Sequence, residues 1–389
     1  MKRILLGILC LILLSGCGGA PDSIPDSGTD PSVQEQSEPA PPETPEPDPV
    51  ETLLSFMTLE EKVGQLFFVR CPESGAAEDV SAYHLGGYIL FGRDCKDKTA
   101  NELIQAIQSY QDAADIPLLM GVDEEGGSVV RVSSNPHLRS QKFRSPQQLF
   151  AAGGMDAILA DAHEKDVLLK ALGFNVNLAP VADVSTNPGD FIHDRSFGQD
   201  AQATSGYVAA VARQMALDGM GCVMKHFPGY GNNVDTHMGI AVDNRPLEQF
   251  QQEDFQPFLA GWDCGYAENG NTTAVLVSHN IVTCMDPDLP ASLSPAVHKT
   301  LRALMDGAGG GNNVVMTDDL AMDAVAAYAK DGAVAVLALQ AGNDLVITTD
   351  YRAQIPKVLQ ALESGELEEA LIDKACRRVL QWKSALGLL

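Results

Sequence analysis

Two short stretches hold the side chains best suited to chemistry. The first is Lys225-His226-Phe227-Pro228-Gly229-Tyr230-Gly231, which runs on to Asp235-Thr236-His237, and the second is Thr317-Asp318-Asp319-Leu320. Each follows an apolar run, Gly221-Cys222-Val223-Met224 or Val314-Val315-Met316. Each therefore sets ionisable groups at the C-terminal end of a predicted strand, where α/β folds place their chemistry. One stretch offers a carboxylate able to attack, and the other an imidazole with a nearby carboxylate to hold and charge it. Those are the parts of a covalent group-transfer enzyme.

Adjacent residues leaving a strand point in different directions. Only one of Asp318 and Asp319 can then be the nucleophile, and the other caps a helix or braces the site; two helix caps and no nucleophile is the plainer alternative. Lys225 and His226 could likewise be no more than a charged strand end. Against that stand Gly229 and Gly231, which permit a mobile, tightly turned segment carrying Asp235 and His237. A third cluster, Gly121-Val122-Asp123-Glu124-Glu125-Gly126-Gly127 followed by Arg131, pairs a carboxylate that can accept two hydroxyl hydrogen bonds with a bidentate donor. Asp194-Arg195-Ser196-Phe197-Gly198 supplies a further donor in Arg195. Each of these two is weak alone, since Arg and Asp at loop starts are ordinary surface residues.

The elements that must position these groups alternate along the chain. Periodicity predicts helix over 52–64, then strands at 65–70 and 87–91, helix near 100–114 and a strand at 118–123. Helix 157–171 precedes a strand at 174–178, helix 202–217 precedes a strand at 221–225, and further strands fall at 274–279, 313–317 and 344–347. Eight apolar runs, most separated by helix-period segments, fit a single α/β domain folded as a (β/α)8 barrel of the TIM type. Asp123, Lys225, His226, His279 and Asp318 all fall at C-terminal ends of these runs, with Asp183 and Arg195 in the loop after the fourth. A doubly wound sheet is the runner-up, but it would want a phosphate-cradling glycine loop after its first strand, and none stands there.

The first residues address the compartment. Met1-Lys2-Arg3 is a positive start, Ile4 to Leu14 an apolar core too short to span a bilayer stably, and Leu14-Ser15-Gly16-Cys17 its end. Small residues before a cysteine in this position resemble a bacterial lipobox, which implies cleavage before Cys17 and lipidation of Cys17; an ordinary secreted protein with a chance cysteine is the alternative. Residues 18–50 carry nine prolines and eight acidic residues with no Lys or Arg, a composition that cannot bury enough surface to order itself and reads as a solvated tether. Extended at about 3 Å per residue, it could hold a domain up to ~100 Å from its anchor. Residues 51–389 form the folded domain. The formal net charge of −26 divides into +2 before Cys17, −8 in the tether and −20 in the domain, which argues against nucleic acid as a partner. Cys71, Cys95, Cys222, Cys264, Cys284 and Cys376 match no zinc spacing and read mainly as buried thiols. An exported location would allow a disulfide such as Cys71 to Cys95, which sequence cannot assign.

Taken together, the motifs resemble in order and type the bacterial β-N-acetylglucosaminidases of glycoside hydrolase family 3, in their single-domain form. The matching stretches are Asp123-Glu124-Glu125-Gly126-Gly127 with Arg131, Asn177 to Val184, Arg195-Ser196-Phe197-Gly198, Lys225 to Gly229, Asp235-Thr236-His237 and Thr317 to Leu320. The resemblance implies Asp318 as nucleophile, His237 as general acid/base and Asp235 as its orienting partner. It makes Asp123, Arg131, Arg195, Lys225 and His226 contacts to N-acetylglucosamine in the nonreducing subsite. Tyr230 stands where many relatives have a second histidine, and Ser128 where an arginine is common. Neither touches the implied chemistry.

Under that resemblance the chain is a retaining exo-β-N-acetylglucosaminidase acting on β-linked N-acetylglucosamine glycans, with muropeptides from peptidoglycan as the substrate that an exported, lipid-anchored location favours. No metal or organic cofactor is called for. A histidine acid/base does not repel incoming phosphate, so phosphorolysis stays open beside hydrolysis. A broader β-glucosidase, and a surface lipoprotein that binds muropeptides without cleaving them, are the remaining alternatives.

Overall fold

The computed structural model describes residues 48–389 apart from 234–239, 323–324, 326–327 and 329–331. Cys17, the tether up to residue 47, Asp235 and His237 lie outside the described residues.

Seven parallel strands form one sheet in chain order: β1 (Phe68–Arg70), β2 (Gly87–Leu90), β3 (Leu119–Val122), β4 (Val176–Asn177), β5 (Gly221–Phe227), β6 (Thr273–Val277) and β7 (Val314–Thr317). The eighth apolar run, 344–347, does not form a strand of its own. It joins the sheet through two single parallel bridges, Met316 with Leu345 on one side and Phe67 with Val346 on the other. Hydrogen bonds from Phe68 N to Val346 O (3.0 Å), Val346 N to Leu66 O (2.7 Å) and Thr317 N to Leu345 O (3.2 Å) complete the circuit from β7 back to β1. The sheet closes on itself as the barrel the eight runs predict. Strands buried on both faces read as near-continuous apolar runs, because helices cover the outside and side chains fill the inside. A Cβ on Gly121 in β3 would lie 2.4 Å from the Phe68 ring of β1, so the bare glycine makes room for an aromatic two strands away.

The helices differ from expectation in instructive ways. The helix expected over 52–64 is two, Pro49–Phe56 and Leu59–Gln65. Thr58 and Glu61 form a reciprocal capping box that restarts the chain after Met57. The span Pro146–Leu172 is two helices broken by non-helical backbone at Gly153 and Gly154: a short first one, opened by a Ser145–Gln148 capping box and not expected from periodicity, and a second that runs to Leu172 and holds the helix expected at 157–171. Helices Ala100–Asp112 and Ala201–Asp218 fall close to their predicted places. Among the described residues no helix is long and apolar enough to cross a membrane.

Candidate active site

The C-terminal ends of the strands converge as the apolar runs imply. β3 delivers Asp123 and Glu125, β5 delivers Lys225 and His226, and β7 delivers Asp318. Pairing between β5 and β6 shifts register between Lys225 and Phe227, and such an irregularity re-aims neighbouring side chains. The Lys225–His226 peptide is cis.

A buried ion-pair network forms the floor. Lys225 Nζ lies 2.7 Å from Asp123 Oδ1 and 2.7 Å from Glu125 Oε1. Arg195, from the loop after β4, donates through Nε and Nη2 to both oxygens of Glu125, at 3.0 and 2.8 Å. Burial pushes the Glu125 carboxyl up, but Lys225 and Arg195 outweigh it and hold the group below the usual carboxylate range. Burial likewise works against the Lys225 ammonium, and Asp123 and Glu125 more than restore it. The network is thus charged throughout, with each buried ion paired as burial demands.

Beside it, His226 Nδ1 sits 2.8 Å from Asp183 Oδ2 and its Nε2 3.2 Å from Arg195 Nη2. These contacts turn Nδ1 of the ring toward the Asp183 carboxylate and Nε2 toward Arg195. Asp183 is fully buried and also accepts from the backbone N–H of His226 (3.2 Å) and of Tyr230 (2.7 Å). The carboxylate therefore fixes both the ring and the start of the glycine-rich turn.

Asp318 leaves β7 toward the same mouth. Burial raises its pKa, but the nearby imidazoles of His279 and His226, a hydrogen bond from Asp319 N–H and the charge of Lys225 bring it below the usual value. That bond runs from Asp319 N to Asp318 Oδ1 at 2.8 Å. Asp319 itself points elsewhere: its Oδ1 accepts from Ala321 N at 2.9 Å and its Oδ2 from Thr349 Oγ1 at 3.1 Å. Of the two candidates, one faces the mouth and the other braces the turn. His279 is held between Ser292 Oγ on Nδ1 (2.7 Å) and the Asp319 carbonyl on Nε2 (3.1 Å).

The structure brings together Asp123, Arg195, Lys225, His226 and Asp318. Arg131 is looser, with Nη2 3.7 Å from Asp123 Oδ2 and its guanidinium 5.7 Å from the centre of the Phe91 ring. The Arg195 guanidinium is committed to Glu125 and His226, and His279 is the neighbouring ring that acts most on Asp318. Glu125 and Asp183 stood in the motifs without a role; their function as buried counter-ions depends on which of several adjacent carboxylates turns inward, which strand alternation alone does not fix. Among the described residues no group of three or more His, Cys, Asp or Glu is arranged to hold a metal ion. All six described cysteines are free, and burial pushes the Cys71 and Cys95 thiols up to about 12.

Comparison with known proteins agrees with this geometry. The model of the glycosyl hydrolase family 3 N-terminal domain matches residues 58–382. The β-hexosaminidase LpqI of Mycobacterium tuberculosis is 31% identical over an alignment that covers 98% of this chain and 96% of that protein. Among solved structures, a family 3 β-N-acetylglucosaminidase from Paenibacillus sp. FPU-7 superposes with a TM-score of 0.76 at 30% identity over 85% of this chain, which spans only 63% of that longer protein. A family 3 glycosyl hydrolase from Mycobacterium smegmatis gives a TM-score of 0.72 at 32% identity, covering 86% of this chain and 98% of its own. With the barrel, the strand-end residues and these matches in hand, the chain belongs to glycoside hydrolase family 3.

Proposed function

We propose that this protein is a retaining exo-β-N-acetylglucosaminidase that removes nonreducing terminal N-acetylglucosamine, with muropeptides released from peptidoglycan as its substrates. The observation that carries the reading is Asp318, a carboxylate kept ionised at the mouth of the barrel beside a paired cluster rich in hydrogen-bond donors. The names of the relatives supply the sugar: β-hexosaminidase and β-N-acetylglucosaminidase recur among them.

In the proposed first step an Asp318 oxygen attacks C1 of the sugar while the bond from C1 to the leaving oxygen breaks. His237, charged and oriented by Asp235, donates its proton to that oxygen. The product is an α-linked glycosyl-aspartate. In the second step neutral His237 takes a proton from water as the water oxygen attacks C1, and the Asp318 carboxylate leaves with the β configuration restored. Asp123, Arg131, Arg195, Lys225 and His226 hold the N-acetylglucosamine ring through its hydroxyls and acetamide. Export and lipidation at Cys17 would set this site on an extracytoplasmic membrane surface, near its polymer.

The test compares aryl β-N-acetylglucosaminide with aryl β-glucoside for the wild type and Asp318→Asn. Selective cleavage of the first, with the β anomer formed first and turnover reduced by at least ~10⁴-fold in the variant, is expected. Equal cleavage of the glucoside would broaden the substrate, and sugar 1-phosphate formed in phosphate buffer would make the enzyme a phosphorylase. Inversion at C1, or no cleavage at all by the wild type, would overturn the reading.

A further inference from the structure

Among the described residues, the polypeptide leaving β5 and the polypeptide returning toward helix Leu247–Gln252 are fastened together by a cluster around Arg245. On the outward side, Asn233 Nδ2 donates to Tyr230 O at 2.8 Å and to Asp243 Oδ2 at 2.7 Å. On the return, Asp243 sits in the two-residue strand Val242–Asp243, paired parallel with Ile281–Val282. There it accepts from Arg245 backbone N–H (2.9 Å), Nε (3.0 Å) and Nη2 (2.9 Å). Arg245 spans the gap: Nη1 donates to Asp254 Oδ2 at 2.8 Å, Nη2 reaches the Gly229 carbonyl at 3.3 Å, and its guanidinium lies 4.3 Å from the centre of the Phe250 ring.

The fit around this guanidinium is close. A Cβ on Gly229 would lie 2.1 Å from Asp254 Oδ1, and one on Gly231 would lie 2.6 Å from Arg245 Cζ; both glycines also have positive φ, 126° and 56°. Asp243 and Asp254 are 2% and 1% exposed, and neither they nor Arg245 belongs to the ion-pair floor described above. A half-buried arginine with two buried carboxylates and a carbonyl, set against bare glycine backbone, is a built feature.

We infer that Arg245, with Asp243 and Asp254, is a positioning device for the general acid/base. It fixes the neck of the segment from Asn233 to Asp243, within which Asp235 and His237 stand in sequence. The inference rests on the proposed role of His237. A fully extended chain can carry His237 no farther than about 14 Å from Asn233, so fixing the neck bounds the distance of the imidazole from the subsite. Freeing the neck would remove that bound and lower the effective concentration of the imidazole at the glycosidic oxygen. The neck is also registered to the subsite, because Tyr230 N–H is bonded to the same Asp183 that orients His226.

A positioning role differs from mere support in which substrates it affects. Cleavage of a 2,4-dinitrophenyl glycoside needs little protonation of its leaving group, whereas a phenyl or 4-methoxyphenyl glycoside needs it fully. We therefore expect Arg245→Lys to lose about 10- to 100-fold in kcat/KM on the poor leaving groups and no more than about 3-fold on dinitrophenyl β-N-acetylglucosaminide. Asn233→Ala, which leaves Arg245 in place, should show the same pattern and covers the case in which Arg245→Lys does not fold. His237→Ala measured beside them should show the steepest dependence. A flat series for His237→Ala would overturn the acid/base reading itself. A steep series for His237→Ala with equal losses across all leaving groups for Arg245→Lys and Asn233→Ala would overturn this inference alone.

Discussion

Glu125 shows how much of the site rests on a single buried anion. It accepts from Arg195 twice and from Lys225 once, so its loss strands two cations in a low-dielectric floor. Removing one partner of a buried ion pair typically costs 3–5 kcal/mol, and the near-isosteric Glu125→Gln is expected to lose about 3 kcal/mol in denaturant unfolding at neutral pH. The pH dependence has a definite sign. Glu125 has its pKa depressed in the folded state, so its stabilisation is present above the unfolded value of about 4.3 and disappears as pH falls through the folded one. The gap between wild type and Glu125→Gln should narrow progressively below about pH 4, and a constant gap would show that charge is not what the residue contributes. Asp318, Lys225 and His226 are legible at the level of single residues because each ends an apolar run. His279 also ends such a run, but Glu125 does not, and its importance comes from partners far away in sequence.

At the scale of elements, the packing of helix Pro146–Leu172 on helix Ala201–Asp218 contains an unusual acid. Asp166 is 1% exposed, and burial together with the neighbouring Asp218 carboxylate pushes its pKa up to about 8, with Lys165 and Lys170 opposing. Since the folded value is raised, the stability tied to protonated Asp166 is complete below the unfolded value near 3.9 and is lost as pH climbs toward 8. Asp166→Asn should remove that loss, giving a Tm that changes less than the wild type's between pH 5 and 8 and is higher at pH 8. A parallel shift at every pH would refute it. The strands were readable because eight apolar runs of the right length recur between helical ones. The eighth, 344–347, was legible as a barrel position although its ladder is only one residue wide on each side. Helix ends were less so: Ser145 with Gln148 and Thr58 with Glu61 are capping pairs whose meaning depends on the backbone turning there, and the helix opened by Ser145 stops at the non-helical Gly153–Gly154 pair.

For the whole molecule, the acidic balance and the leading segment make separate statements. The domain carries most of a net charge of −26, which keeps it off polyanions. The membrane attachment proposed above rests on a local anchor, Cys17. Cys17→Ala is expected to move the protein from the membrane fraction into the medium or periplasm with kcat/KM on aryl β-N-acetylglucosaminide unchanged. Retention in the membrane fraction would exclude the lipid at that position.

The single bridges at residues 345 and 346 have a consequence for biogenesis. Phe67, at the edge of β1, finds its outer neighbour only at Val346, so a nascent polypeptide that stops short of Val346 has an open sheet with two unpaired edges. The cylinder cannot be completed until residues 345 and 346 are available to pair. Its closure is therefore a contact of long sequence separation, which pays its loop-closure entropy before it returns any stabilisation.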